Sequence, residues 1–258
     1  MRNVFITTVT AMAFASTVNA ADLGGSVGVE FTENSAGDYV ATTTLGMGVN
    51  ATGVAFGGFT VESVDGATFT IDEWQLGTTV GNATVSIGDQ GDLFPSAGLE
   101  IVGGTTLADP ATNDSVIVDL GVAAVMVGFT DVTTDVTDIA NVQASVSTAL
   151  VGADVTLAVD FNTATDDMTF GADVGYNIDS VALGLVATYA QSTETVAYEA
   201  SVGYGIATAF VNGDDSDWAQ NVGAGVNTEF GSLNVYAEGE YNIASEDTTF
   251  GAGVAFNF

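Results

Sequence analysis

The chain has 258 residues and 33 Asp plus Glu, against one basic residue, Arg2, and no His, for a formal net charge of −32. With almost nothing to neutralise phosphate, nucleic acid is excluded as a partner, and the zero Cys count excludes a disulfide framework. Mean hydropathy is nonetheless +0.37, whereas highly charged soluble chains are usually poor in apolar residues. A chain that is both must segregate the two, and strands do so by alternation.

The first twenty residues, MRNVFITTVTAMAFASTVNA, have a basic start, an apolar middle from Val4 to Ser16 and Val-Asn-Ala before a cut after Ala20. They read as a secretory signal, the alternative being a buried first helix; the apolar run is too short to span a bilayer. Removing them leaves every acid and no basic side chain in 21–258, a single domain.

From there the chain alternates apolar and polar residues in about sixteen segments, each near the ~9–11 residues a tilted bilayer-crossing strand needs. In chain order they cover 24–31, 39–49, 53–62, 66–76, 82–88, 115–121, 123–131, 141–150, 153–162, 167–176, 180–190, 194–204, 206–212, 219–229, 232–241 and 248–258. In 153–162 one face carries Val155, Leu157, Val159 and Phe161, the other Thr156, Ala158, Asp160 and Asn162. Segments 53–62 and 66–76 change phase, which predicts either bulges or different strand bounds. The last segment ends on Phe258, with Phe250, Ala252, Val254 and Phe256 on the same face.

Connections alternate between tight turns, such as Gly152–Asp154 and Gly231-Ser232, and longer polar loops, such as Asn212–Asp217 and Ile243–Asp247. One loop, Asp89–Asp114, is far longer than the rest and holds both prolines, Pro95 and Pro110; their absence from the strands fits a residue that cannot donate to a ladder. Aromatic residues gather near strand ends, among them Phe31, Tyr39, Phe129, Tyr176, Tyr204, Phe230 and Tyr241, as at a membrane interface. The strands therefore predict an all-β fold, a closed transmembrane antiparallel barrel, because an open edge in hydrocarbon would leave backbone groups unpaired.

The cleavable leader, the terminal Phe258, the even strand count and the long third loop together resemble the general porins of the Gram-negative outer membrane. The loops on that side are Thr32–Asp38, Ser63–Gly66 and Asp89–Asp114. The stretch GNATVSIGDQGDLF, Gly81–Phe94, is most similar to alphaproteobacterial porins. The resemblance implies that the third loop, about 89–114, folds inward as a constriction, that the barrel forms a homotrimer among outer-membrane lipid and lipopolysaccharide, and that Phe258 serves membrane assembly. Two features depart from the family. The chain is short for sixteen strands, and the basic cluster on the wall facing the third loop has no counterpart.

With the apolar face outward, Glu30, Asp119, Asp160, Asp173, Glu199, Glu229, Glu238 and Glu240 face the pore, and Asp72 joins them across an uncertain register. The third loop adds Asp89, Asp92, Glu100, Asp109 and Asp114. Two carboxylates ~10 Å apart in water repel by only about 0.4 kcal/mol, but many acids in a narrow low-dielectric passage focus the field to several kT. Rings of acids select cations. These features predict a passive, cation-preferring channel for ions and small hydrophilic solutes, working without a cofactor.

No His, Lys, Cys or Arg remains after residue 20, so serine–histidine, cysteine–histidine and Schiff-base chemistry are unavailable and no enzyme is expected. The run Asp214–Asp217 offers oxygens for a weakly bound divalent cation but lacks the spacing of a dedicated calcium loop. Two rivals stay open: a non-conducting acidic outer-membrane barrel that binds divalent cations, and a soluble acidic all-β surface protein.

Overall fold

The computed structural model describes residues 22–33, 39–51, 55–64, 66–89, 93–95, 114–131 and 135–258. They form β1 (Asp22–Glu33), β2 (Tyr39–Ala51), β3 (Ala55–Val64), β4 (Thr70–Val80), β5 (Ala83–Asp89), β6 (Asp114–Asp119), β7 (Ala123–Asp131) and β8 (Asp135–Leu150). The second half comprises β9 (Ala153–Asn162), β10 (Asp167–Ile178), β11 (Val181–Ala190), β12 (Thr195–Tyr204), β13 (Ala207–Asp214), β14 (Asn221–Phe230), β15 (Leu233–Asn242) and β16 (Thr248–Asn257). Each strand pairs antiparallel with its sequence neighbours, and β1 pairs with β16, so the sheet closes into a sixteen-stranded barrel. The seam is completed by Phe258, whose N–H donates to the Gly25 carbonyl at 2.9 Å and whose carbonyl accepts from Gly25 N–H at 3.0 Å. Residues 1–20, read from the sequence as a leader, lie outside the described residues.

Alternation sets the two faces. On β9, Leu157 is 57% exposed while its neighbour Ala158 is buried and Asp160 is only 5% exposed. The face carrying large exposed apolar side chains is the outer one, and the polar face lines the interior. Outer positions include Val125, Val146, Leu185, Val202, Val254 and Phe256. At ~25 cal/mol per Å² of apolar surface, such a belt is costly against water. Phe31, Tyr176, Tyr204, Phe230 and Tyr241 sit exposed near the strand ends of this face.

One rim has tight turns. Val151 and Gly152 adopt φ 55° and 85°, the doubly positive geometry that matches hairpin twist. On the other rim, loops carry a left-handed residue near their ends, at Asp166, Glu194 and Glu246. From β8 onward the connections alternate between two-residue turns and longer loops, as the sequence does.

Several predicted boundaries move, three of them in ways that matter for the wall. The segment 66–76 becomes β4 at Thr70–Val80, because residues from Gly66 onward belong to the turn, where Ser63 Oγ donates to the Ala67 carbonyl at 2.7 Å. The segment 53–62 becomes β3 at Ala55–Val64, and β8 starts at Asp135 rather than 141. The phase change in these early strands is a bulge: Thr60 pairs with Glu73 and Val61 with Ile71, leaving Asp72 as the extra residue.

Candidate functional site

The inner wall is the candidate site. The ladders place Asp119, Asp160, Asp173, Glu199, Glu229, Glu238, Glu240 and Glu30 on the inner face. Asp119 closes β6 beside a tight turn, where its carboxylate accepts the Gly121 N–H at 2.6 Å. Glu229 is exposed one residue before the β14–β15 turn. These two belong to the turn-side mouth, not to mid-wall. Asp72 sits at the bulge, and its side chain is outside the described residues.

The deepest cluster is on β8–β10. Asn141 Nδ2 donates to Asp160 Oδ1 at 2.8 Å, and the ladder partner of Asp160 on β8 is Gln143, which is fully buried. What covers Gln143 is the third loop. Leu93 N–H donates to Gln143 Oε1 at 2.7 Å, and Phe94 and Pro95 lie so close to Gly171 on β10 that a Cβ there would meet them at 3.0 and 2.9 Å. Gly171 pairs with Ala158 and shares its inner face, so the loop enters the barrel at Leu93–Pro95.

The wall that carries Asp160 and Asp173 is therefore the one on which the loop rests at Leu93–Pro95. Halfway round the ring in strand order from β9 stands β1, and its inner acid is Glu30. Thr32 Oγ1 donates to Glu30 Oε1 at 3.2 Å and Tyr236 OH to Oε2 at 3.4 Å. Glu238, largely buried, pairs across β15–β16 with Gly251. Among the loop acids, Asp89 and Asp114 are the last residue of β5 and the first of β6, paired with Trp74 and Phe129. They belong to strands rather than to the loop interior. Asp92, Glu100 and Asp109 lie outside the described residues.

Several inner-face carboxylates were not singled out from the sequence; besides Asp154 and Asp167, paired with Gly175 and Asn162, two lie on β3 and β4. Glu73 pairs with Thr60 and Glu62 with Thr44, both on the inner face. The signal was present, because Glu73-Trp74-Gln75-Leu76-Gly77 alternates cleanly; assigning Asp72 inward put Glu73 on the wrong face.

The acidic run at the β13 end serves its own turn. Asp214 Oδ1 accepts the Ser216 hydroxyl at 2.6 Å and the N–H groups of Ser216 and Asp217 at 2.8 Å each, while Oδ2 accepts Gln220 Nε2 at 2.7 Å. These bonds, the Ser216 hydroxyl first, hold the Asp214 carboxyl down to about 2. Among the described residues no group of three acidic side chains is arranged to hold a metal ion.

The chain matches no family model and none of the curated proteins. Solved structures do match. A mutant of the Rh. blastica porin with five substitutions superposes with a TM-score of 0.69 at 17% identity, covering 92% of this chain and 100% of that one. A loop-L8 deletion mutant of OmpT, an outer membrane protein of Vibrio cholerae, superposes at 0.59 with 14% identity, covering 92% and 99%. OmpT folded in vitro, in its trimer form, gives 0.58 at 14% over the same shares. Identities this low carry the architecture and nothing finer: the chain has the sixteen-stranded porin barrel fold that these proteins share.

Proposed function

We propose that the protein is an outer-membrane porin, a passive channel that prefers cations and admits small neutral or cationic hydrophilic solutes. One observation carries the reading. The inner faces of β1 and β15 on one side and of β9 and β10 on the other bear carboxylates, and no basic side chain exists after Arg2 to oppose them. A cation in the lumen meets negative charge from both sides, and low-dielectric walls strengthen that field.

In this reading residues 1–20 are an export signal removed after Ala20, 21–258 form the barrel, and the loop over about 89–114 narrows it. Leu93–Pro95 resting on Gln143 and Gly171 supports that role for the loop. The barrel sits in lipid and lipopolysaccharide as a homotrimer, and Phe258 directs its assembly. The apolar outer belt speaks for lipid against the soluble alternative.

The test is the reversal potential across a planar bilayer in a KCl gradient. Cation preference gives the sign of the K⁺ equilibrium potential; an anion-selective current overturns the proposal. A folded barrel that inserts and carries no current favours the structural, non-conducting reading.

A further inference from the structure

Glycine does two different things on the inner wall. At Gly77, Gly223 and Gly253 an added Cβ would strike the ring of Phe56, Phe210 or Tyr236 at 2.2–2.4 Å, so each glycine seats an aromatic ring from the neighbouring strand. At Gly24 and Gly48 nothing of the kind holds. A Cβ would meet only backbone oxygens at 3.5 and 3.7 Å, ordinary contact distances. Glycine in a strand weakens it by roughly 0.5–1 kcal/mol, and strand glycines with no covering side chain mark places where something else comes close to the backbone.

These two glycines lie on one rung: Gly24 pairs with Gly48, Gly48 with Gly58, and Gly58 with Gln75. The next rung toward the loops is polar, running Asn257–Ser26–Gly46–Thr60–Glu73. The next rung toward the turns carries Asn50 and Phe56. Together they enclose a recess of about 590 Å³ with a floor of bare backbone, also lined by Asp89. Its volume lies in the range of small-molecule sites. Its chemistry is an aromatic ring at one end, the Glu73 carboxylate at the other, and hydroxyl and amide groups between.

The geometry points to a binding site for a small organic cation carrying an ammonium group, seated on the glycine floor between Phe56 and Glu73. An ammonium is attracted both by a ring face and by a carboxylate, and the chain has no Lys, Arg or His side chain after Arg2. The inference rests on the proposed pore reading for the solute's route, which is the lumen. Such a pore would conduct small inorganic cations freely and organic ammonium ions saturably.

The experiment is saturation-transfer NMR of choline with the protein folded in non-ionic micelles, glucose serving as the neutral probe. We expect a saturable choline signal, none from glucose, and binding weakened about 2- to 10-fold by Phe56→Ala or Glu73→Gln. Gly48→Leu, which fills the floor, abolishes it. Glu73→Gln is nearly isosteric and keeps the test decisive if Gly48→Leu does not fold. A choline signal that rises linearly and equally in all variants is counter-ion attraction only and overturns the site. Saturable glucose binding without choline binding overturns the cation assignment. Saturable choline binding by a barrel that carries no current leaves the site standing and defeats the pore reading; a cation-selective pore without saturable choline binding does the reverse.

Discussion

The walls at β8–β10 and β16–β3 differ in what they do with small residues. On the first, Gly171 makes room for Phe94 and Pro95, Leu93 bonds to Gln143, and Asp160 is sealed beneath Asn141. On the second, Gly24 and Gly48 lie open and Glu30 stands at the lumen surface with Thr32 and Tyr236 as partners. One wall is an anchor and the other faces the passage. Strand glycines thus do not reveal their purpose by type; what would occupy the missing Cβ decides it.

The largest effect is expected on the anchor. Gly171→Leu drives a side chain into Phe94 and Pro95, and overpacking of this kind costs ~1–3 kcal/mol, enough to lift Leu93–Pro95 from the wall. Single-channel conductance should rise and hydrogen exchange at Leu93 N–H should accelerate; unchanged conductance would mean that the contact does not hold the loop in the passage. Next is selectivity. Glu30→Gln should move the reversal potential toward zero more than Asp160→Asn, a residue that is 5% exposed and bonded to Asn141. The difference should be widest near 0.01 M salt, where the Debye length is about 30 Å, and fade toward 1 M, where it is about 3 Å. An equal shift from both substitutions would erase the distinction between the walls.

A smaller effect concerns the rim. Asp214 has a folded pKa of about 2, below its unfolded value. Its contribution to the turn is complete above ~4 and is lost as pH falls toward 2. Trp218 sits in that turn, with its ring 5.5 Å from that of Tyr198. In a Trp74→Phe background its emission should hold steady from pH 7 to 4 and change between 4 and 2, and Asp214→Asn should flatten that change. The smallest effect is Val151→Asn. Val151 is a β-branched residue at φ 55° in a two-residue turn, and Asn there relieves strain of about 1 kcal/mol, raising resistance of the folded barrel to urea.

Nearly all of the strand order was readable because a lipid-facing strand must alternate, so Leu157 and Val159 interleaved with Ala158 and Asp160 announce the two faces. What failed was local. One extra residue, Asp72, flips every face beyond it, which hid Glu73. The docking wall of the loop was not readable either, because Gly171 looks like any other strand glycine until Phe94 is seen against it. Sequence alternation gives the face of a residue and not its depth, which is why Asp119 and Glu229 at the turn-side mouth looked the same as Glu30.

The central claim is that this acidic barrel conducts and selects by charge. The most direct measurement is the zero-current potential of the wild-type protein in a tenfold KCl gradient, taken at low and at high mean salt. A potential of the K⁺ sign that shrinks as mean salt rises is the predicted result; a potential of the Cl⁻ sign, or one indifferent to ionic strength, would contradict it.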